Sequence, residues 1–363
     1  MPDLRDLLRA EWRYLTTFQQ SDRLWQMPLA AALCTGLPLL IGAWFDRTGA
    51  AMAASLGGLV FLYLPPTPLH HRMVFLMACA FGLIGAYTLG TLSHFVPGLM
   101  VPVLVFTAIV VTMVCRYYRV GPPGSLFFVM AAAIGAYTPT APAEVPAAVG
   151  LAAMGTLLAC LIAFFYSLHA LRVRAAQPVA PLPPAGFDDV VFDSVVIGVF
   201  VGLSLLLAQL LQLEKAYWVP VSCLAVIQGA TLRAVWTRQV HRILGTGLGL
   251  LLAWGVLLLP LDRWTLPLVF MLLSFVIELL VVRHYALAVV FITPLTILLA
   301  EIATLGQTPP GELVVARFVD TLLGSVVGFA GGACLHSPGF RRAVGGPMRR
   351  LVPARMRGRE EGS

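Results

Sequence analysis

A chain of 363 residues that is 59% hydrophobic and only 11% charged falls far below the roughly 25% of charged residues found in soluble domains. The composition therefore implies an integral membrane protein without a soluble domain. The net charge of +7 does not point to nucleic acid, because the stretch after Ser337 holds seven Arg against Glu360 and Glu361 and carries most of the excess.

In chain order, residues 1–26 come first. Leu4, Leu7, Leu8, Leu15 and Phe18 recur there at helical spacing between Arg and Asp, which predicts an interfacial amphipathic segment acting as an anchor. The first apolar run begins only after this mixed-charge stretch, so no cleavable signal peptide is expected. Apolar spans follow with predicted starts near Pro28, Gly49, Met73, Val96, Gly124 and Pro146, then near Val190, Tyr217, Ile243, Leu266, Tyr285 and Glu312. They divide into a first six-helix repeat at 27–170 and a second at 190–336. Between them, residues 171–189 contain Pro178, Pro181, Pro183 and Pro184 and read as a linker too short and Pro-rich to fold alone. Residues 337–363 form a basic tail. Its arginines suit membrane lipids, since an anionic leaflet attracts each by about 1 kcal/mol; a disordered tail that only obeys the topology rule is the alternative.

The distribution of basic residues supports the span count. Twenty of the 24 Lys and Arg residues fall in alternate gaps or at the ends, the opposite gaps hold only Arg47, Lys215 and Arg263, and Arg317 lies inside a span. Such a bias places both termini in the cytoplasm. The halves also resemble each other. His71-Arg72 matches His241-Arg242, Arg116-Tyr117-Tyr118 matches Arg283-His284-Tyr285, and Pro142-Ala143-Glu144 matches Pro310-Gly311-Glu312, at separations of 170, 167 and 168. The expected fold is thus an all-α integral membrane protein of about twelve transmembrane helices in two parallel six-helix repeats, N-in and C-in.

The second span of each half is short, roughly Gly49 to Leu64 before Pro65-Pro66-Thr67-Pro68, and Trp218 to Gln228 before Gly229. A helix needs about 20 apolar residues to cross the hydrocarbon. Short segments at equivalent positions of two repeats point to a substrate cavity between them; tilted helices are the bland alternative.

Ionisable residues within spans are few: Glu278, Glu301, Arg317 and Asp320, with Asp193 and His169 nearer the ends. Arg317 and Asp320 stand three apart and share a helix face. Facing lipid, each would cost about 2.5 to 3.5 kcal/mol, so both are expected to face inward. Two readings follow. Arg317 holds an anionic group while Asp320, with Glu278 as a second carrier, takes a proton; or the two form a permanent salt bridge. Glu301 lies near a span end, within reach of water, and Asp193 is expected to cap the seventh span.

Tyr217 and Trp218 open the short eighth span, where a ring can stack on a planar substrate, and Gln228 closes it. Trp44 and Trp264 lie at predicted interfaces as anchors. Cys34, Cys79, Cys115, Cys160, Cys223 and Cys334 are scattered in apolar runs without metal-ligand or disulfide spacing. Neither a metal site nor a nucleophile and base pair is evident, so no enzyme is indicated.

In the second half, Tyr217-Trp218-Val219-Pro220, Gln228, Arg238, Arg242, Gly245-Thr246 and Gly249, followed by Arg317, Asp320-Thr321 and Gly324, resemble the pattern of the fusaric acid resistance (FUSC) family, which is similar to the aromatic acid exporters. The resemblance covers residues about 190 to 335. It implies a multi-pass transporter of the bacterial inner membrane, driven by the proton gradient without a bound cofactor, that exports small aromatic carboxylic acids or related amphipathic toxic compounds. It also implies a small organic anion as ligand, a periplasmic adaptor protein as a possible partner and a possible homo-oligomer. Two departures matter: the chain lacks large cytoplasmic domains, and its first half has small and apolar residues around Val149 to Gly155 where the second has Arg317 and Asp320. An importer of an anionic compound such as an iron chelate, an anion channel and a non-transporting membrane scaffold are the alternatives.

Overall fold

A computed structural model describes residues 17–182, 186–301 and 309–351. Most of the expected N-terminal anchor and the end of the basic tail lie outside those residues, as does the side chain of Glu301.

The first half comprises α1 (Gln26–Trp44), α2 (Thr48–Gly58, continued by a 3-10 turn at Leu59–Tyr63), α3 (Leu69–Ser93), α4 (Met100–Tyr117), α5 (Leu126–Tyr137) and α6 (Val145–Val173). The second half comprises α7 (Asp193–Leu210), α8 (Trp218–Ile227), α9 (Leu232–Leu257), α10 (Thr265–Leu280), α11 (Tyr285–Glu301) and α12 (Pro310–His336), followed by α13 (Pro338–Leu351). Helices α1, α3, α4, α6, α7, α9 and α12 are long and apolar enough to cross a membrane, and the five others among α1–α12 are shorter apolar helices. Their outer faces carry large apolar side chains such as Phe81, Leu251 and Phe165, which are exposed, as expected of surfaces solvated by lipid.

The helix starts lie within a few residues of expectation except in α9, which begins at Leu232 rather than near Ile243. Its first three turns carry Arg233, Arg238 and Arg242, and this polar stripe hides a helix that hydropathy alone reads as a gap. Thr231 caps it by accepting a hydrogen bond from the Ala234 amide at 3.1 Å, satisfying one orphan donor of the first turn.

One set of packing partners occurs twice. Helix α2 packs on α6 as α8 packs on α12; α3 packs on α5 and α6 as α9 packs on α11 and α12; α1 packs on α2 as α7 packs on α8. Across the halves, α4 packs on α7 and α10 packs on α1, so each half lends a helix to the other. The closest approaches use glycine. A Cβ on Gly155 would lie 1.9 Å from the Ala54 carbonyl oxygen, and one on Gly324 would lie 2.3 Å from that of Val219. Small residues at such crossings let helix backbones touch where no hydrophobic effect drives association.

The expected short second spans are present, and α8 is buried along its whole length from Trp218 to Ile227. Unexpectedly, α5 is short as well, with Phe128 to Ala136 buried, and it packs on α8. The centre of the molecule is therefore built from two short helices.

Two further expectations are corrected. Asp193 does not cap α7, which follows a π turn at Asp188–Phe192 and has no side-chain cap. Its carboxylate instead accepts hydrogen bonds from Arg116 at 2.9 Å and Arg341 at 3.0 Å. The tail is not wholly a disordered strand either, since Phe340, Val344 and Met348 recur every fourth residue and pack α13 against the core that holds Phe192, while Arg349 pairs with Asp188. Replacing Asp193 with asparagine removes both ion pairs. Because the two arginine side chains are 33% and 32% exposed, the loss is expected to be about 1 kcal/mol, or roughly fivefold faster amide exchange in α13. Unchanged exchange would show that apolar contacts alone hold α13.

Candidate functional site

Helix α12 presents one stripe to α8: Arg317, Asp320 and Thr321, then Gly324 and Ser325, then Gly328. These positions repeat at three and four residues, so they lie on a single face. Gly324 and Gly328 meet the backbone of α8 at Val219 and Cys223, which locks the two helices together and brings the polar end of the stripe to the beginning of α8.

There Arg317 lies over the Trp218 ring, with its guanidinium carbon 4.2 Å from the ring centroid. Arg317 is 5% exposed and Asp320 1% exposed. Among the described residues the two do not form an ion pair: Arg317 Nε and Nη1 and Asp320 Oδ2 are buried without a hydrogen-bond partner, as are Thr321 Oγ1 and Ser325 Oγ. An unsatisfied buried polar group costs about 1 to 3 kcal/mol, and more when charged. So many on one face make this stripe the candidate site.

A second arginine, which sequence reasoning did not place here, approaches from α9. Arg242 is buried and donates from Nη2 to Ser222 Oγ on α8 at 3.0 Å and from Nη1 to the Tyr285 hydroxyl on α11 at 3.3 Å. Its Nε has no partner, and its charge is felt at Arg317. The signal was present in the His241-Arg242 anchor, but that pair was read as a mark of the repeat rather than as part of a site. The cluster therefore sets two guanidiniums against the Asp320 carboxylate, with Glu214 and Lys215 of the loop before α8 close enough to act on that carboxylate. The amides at the beginning of α8 add no anion donor. Trp218 N donates to Lys215 O, Val219 N donates to Ala216 O, and Pro220 has no N–H.

The other expected site residues lie apart to different degrees. Tyr217 packs its ring on Trp218, with centroids 5.2 Å apart, and on Tyr137 of α5 at 5.8 Å. Tyr137 in turn accepts a hydrogen bond from Gln209 at 2.9 Å. A run of rings thus leads from Arg317 to the contact between the halves. Gln228 stands at the other end of α8 and donates to Ser125 Oγ at 2.7 Å, where Ser125 also accepts from Thr112 Oγ1 at 3.0 Å. It ties the halves together through the first turn of α5. Gly124, just before that turn, takes φ +60, a conformation open to glycine, and its carbonyl accepts from the Tyr63 hydroxyl at 2.8 Å. Glu278 lies on α10, which packs on α1 and α11, and it pairs with Arg23 at 3.4 Å. The charged cluster therefore sits inside the second half, between α8, α9, α11 and α12, and not between the halves as the sequence suggested.

The first half has no copy of this cluster. Gly155-Thr156 occupies the place of Gly324-Ser325, which sets Ala148 and Leu151 at the positions of Arg317 and Asp320. Among the described residues no three His, Cys, Asp or Glu side chains come together in a way that would hold a metal ion.

Residues 196–331 match a protein family described as fusaric acid resistance protein-like. Among curated proteins, an uncharacterized membrane protein of Bacillus subtilis, YvaC, is 33% identical over 117 residues, covering 32% of this chain and 18% of that protein. No solved structure matches the chain. The family match contains α8 and α9 whole and ends within α12, so it covers every residue of the buried cluster.

Proposed function

Because the chain is a membrane protein of the fusaric acid resistance protein-like family, we propose that it is a secondary transporter for a small aromatic carboxylate, with Arg317 and Arg242 as the anion site and Asp320 as the proton carrier. The observation that supports this most directly is the imbalance, among the described residues, of two buried guanidiniums against one buried carboxylate, with unpartnered polar atoms on both sides of the pair. A monovalent anion restores neutrality there. Guanidinium and carboxylate match geometrically, and a charged pair of hydrogen bonds in a site shielded from water is about twice as strong as a neutral pair. The rings of Trp218, Tyr217 and Tyr137 offer faces on which an aromatic portion can stack.

Coupling follows from charge balance. With the site empty, an ionised Asp320 is the counter-charge of the arginines. With a carboxylate bound beside an ionised Asp320 the site is neutral, but the two anionic groups repel each other across the shared arginines, so the bound anion favours a proton on Asp320. By linkage, each raises the affinity for the other by the same factor. In this reading the twelve apolar helices are two parallel six-helix repeats, the arginine-rich face is cytoplasmic, and the chain resides in a bacterial inner membrane. Coupling of this sign carries proton and substrate in the same direction; export on the inward proton gradient requires instead that Asp320 be protonated on the empty, returning site and ionised on the loaded, outward-moving one.

The test is flux of a panel of aromatic carboxylates in proteoliposomes under an imposed pH gradient. Wild type is expected to show gradient-dependent flux, and Asp320→Asn is expected to lose the dependence on the gradient, with flux lowered about 100-fold or more, the scale of losing a positioned proton carrier. Equal flux without any gradient would make the protein an anion channel. Unaltered cellular function after both charges are replaced would make it a scaffold.

A further inference from the structure

A second cluster of arginines lies far from the first in sequence and is used by none of the steps above. On the arginine-rich face of the first half, a cavity of about 930 Å³ is bounded by the segment before α1, the Pro65-Pro66 break after α2, the ends of α3, α4 and α6, and the linker from Ala175 to Leu182. No residue of α7–α13 lines it. Gln177 N donates to Pro66 O at 2.9 Å, and Arg174 donates to the Asp22 carbonyl. The linker and the N-terminal segment are thereby fastened over the cavity.

Among the described residues, Arg23, Arg72, Arg119 and Arg174 line this cavity, with Asp22 as the single acidic residue. Arg23 is partly neutralised by Glu278, whereas among the described residues no carboxylate pairs with Arg72, Arg119 or Arg174. Arg72 is the unusual member. It is 6% exposed, its Nε donates to the Thr67 carbonyl at 2.6 Å, and the titratable group that acts on it is the Tyr166 phenol. It is the counterpart of Arg242 in the internal match, yet Arg242 has two side-chain partners, while Arg72 bonds a backbone carbonyl and lines the cavity. Arg119 stands at φ +52, a backbone region that favours glycine, and is exposed beside the cavity.

We infer that this cavity is a binding site for a phosphate-bearing anion, separate from the Arg317 site and roofed by the linker between the halves. Three arginines without carboxylate partners around one cavity suit an anion of more than one charge. Planar guanidiniums bind phosphate oxygens in pairs, which a single carboxylate does not satisfy. A volume near the upper end of ordinary ligand pockets has room for a nucleotide-sized molecule, and Phe75, Tyr118 and Tyr166 supply ring surfaces in the same wall. A soluble organic phosphate and the headgroup of an anionic phospholipid share this chemistry. An occupant would touch both the first half and the linker, and so would bias how the second half is held against the first.

The experiment uses the full chain, delipidated in neutral detergent and titrated with ATP, and separately placed in nanodiscs with or without cardiolipin and weighed by native mass spectrometry. Arg119→Ala and Arg174→Ala are combined because both residues are exposed, and Arg174→Lys, which keeps a donor for the Asp22 carbonyl, separates loss of the guanidinium from loss of the fastening; Arg317→Gln is the control at the other site. Saturable binding of ATP, or failing that of cardiolipin, is expected. Each missing guanidinium is expected to weaken it about tenfold or more, and Arg317→Gln is expected to leave it unchanged. ATP binding identifies a soluble ligand, and cardiolipin binding without ATP binding identifies a lipid. Binding of neither overturns the inference, as does binding that survives the double variant or that Arg317→Gln weakens equally.

Discussion

Replacing Arg317 with methionine and Asp320 with leucine together is expected to give a protein more stable than its parent by about 1 to 4 kcal/mol that moves no substrate. Both side chains are buried, and both keep polar atoms without a hydrogen-bond partner among the described residues. Their desolvation is therefore not offset within the fold. Methionine retains contact with the Trp218 face through its polarizable sulfur, replacing the stacking of the guanidinium 4.2 Å above that ring. Leucine at 320 fills the volume of the carboxylate next to α8 without asking for a partner. Thermal unfolding in detergent reads the stability and proteoliposome flux reads the activity. A loss of stability on double replacement would show that the two charges brace α12, and their functional assignment would fall with it. The expected combination, firmer but inactive, reflects how binding sites store unsatisfied groups that a ligand completes.

Leucine at Gly155 or at Gly324 is expected to be far more damaging than most membrane-protein substitutions, with a loss of more than about 3 kcal/mol at each site. The first carbon of the new side chain would already lie 1.9 Å from Ala54 O or 2.3 Å from Val219 O. Backbone oxygens cannot swing aside as a side chain does. The helices would have to separate along α2 and α6, or along α8 and α12, which are among the most extensively packed pairs of their halves. Gly85 and Gly247 make a matched control, since a Cβ at either meets nothing within 4 Å, and alanine there is expected to be neutral or slightly stabilising. Unfolding in mixed detergent micelles, compared across the four variants, checks the contrast. If Gly155→Leu and Gly324→Leu unfold with the controls, the close crossings do not hold the bundle.

Much of this arrangement could be read from the chain because membrane helices are written in composition and charge. The alternation of arginine-bearing gaps placed most helix starts, and the short stretch from Trp218 to Gln228 foretold the buried half-length helix at the centre. What stayed hidden depended on partners distant in sequence. Arg238 and Arg242 gave α9 the look of a loop, and only the neighbouring Ser222 and Tyr285 explain why an arginine is tolerated there. Glu278 and Asp320 look alike as isolated acids in apolar runs, yet Arg23 reaches one and not the other. Gln228 has the composition of a cavity residue and serves as a tie to Ser125. The amphipathic α13 was legible in Phe340, Val344 and Met348, but a run of seven arginines drew attention to charge rather than to the spacing between the arginines. Which helix of one half would pack on which helix of the other had no local signal at all.

That last feature bears on how the protein is made. Helix α4 has its main partner in α7, and α1 packs on α10, so neither face is covered while only the first half has left the ribosome. During synthesis α4 waits in lipid until the linker and the next span arrive, and α1 waits through most of the chain. Integration and folding are thus separate events for these two helices, with the completed bundle closing only near the end of translation. A chain interrupted in the linker would present both unpaired faces to the bilayer, the condition that membrane quality-control proteases survey, which favours clearance of partial products over their accumulation as half-bundles.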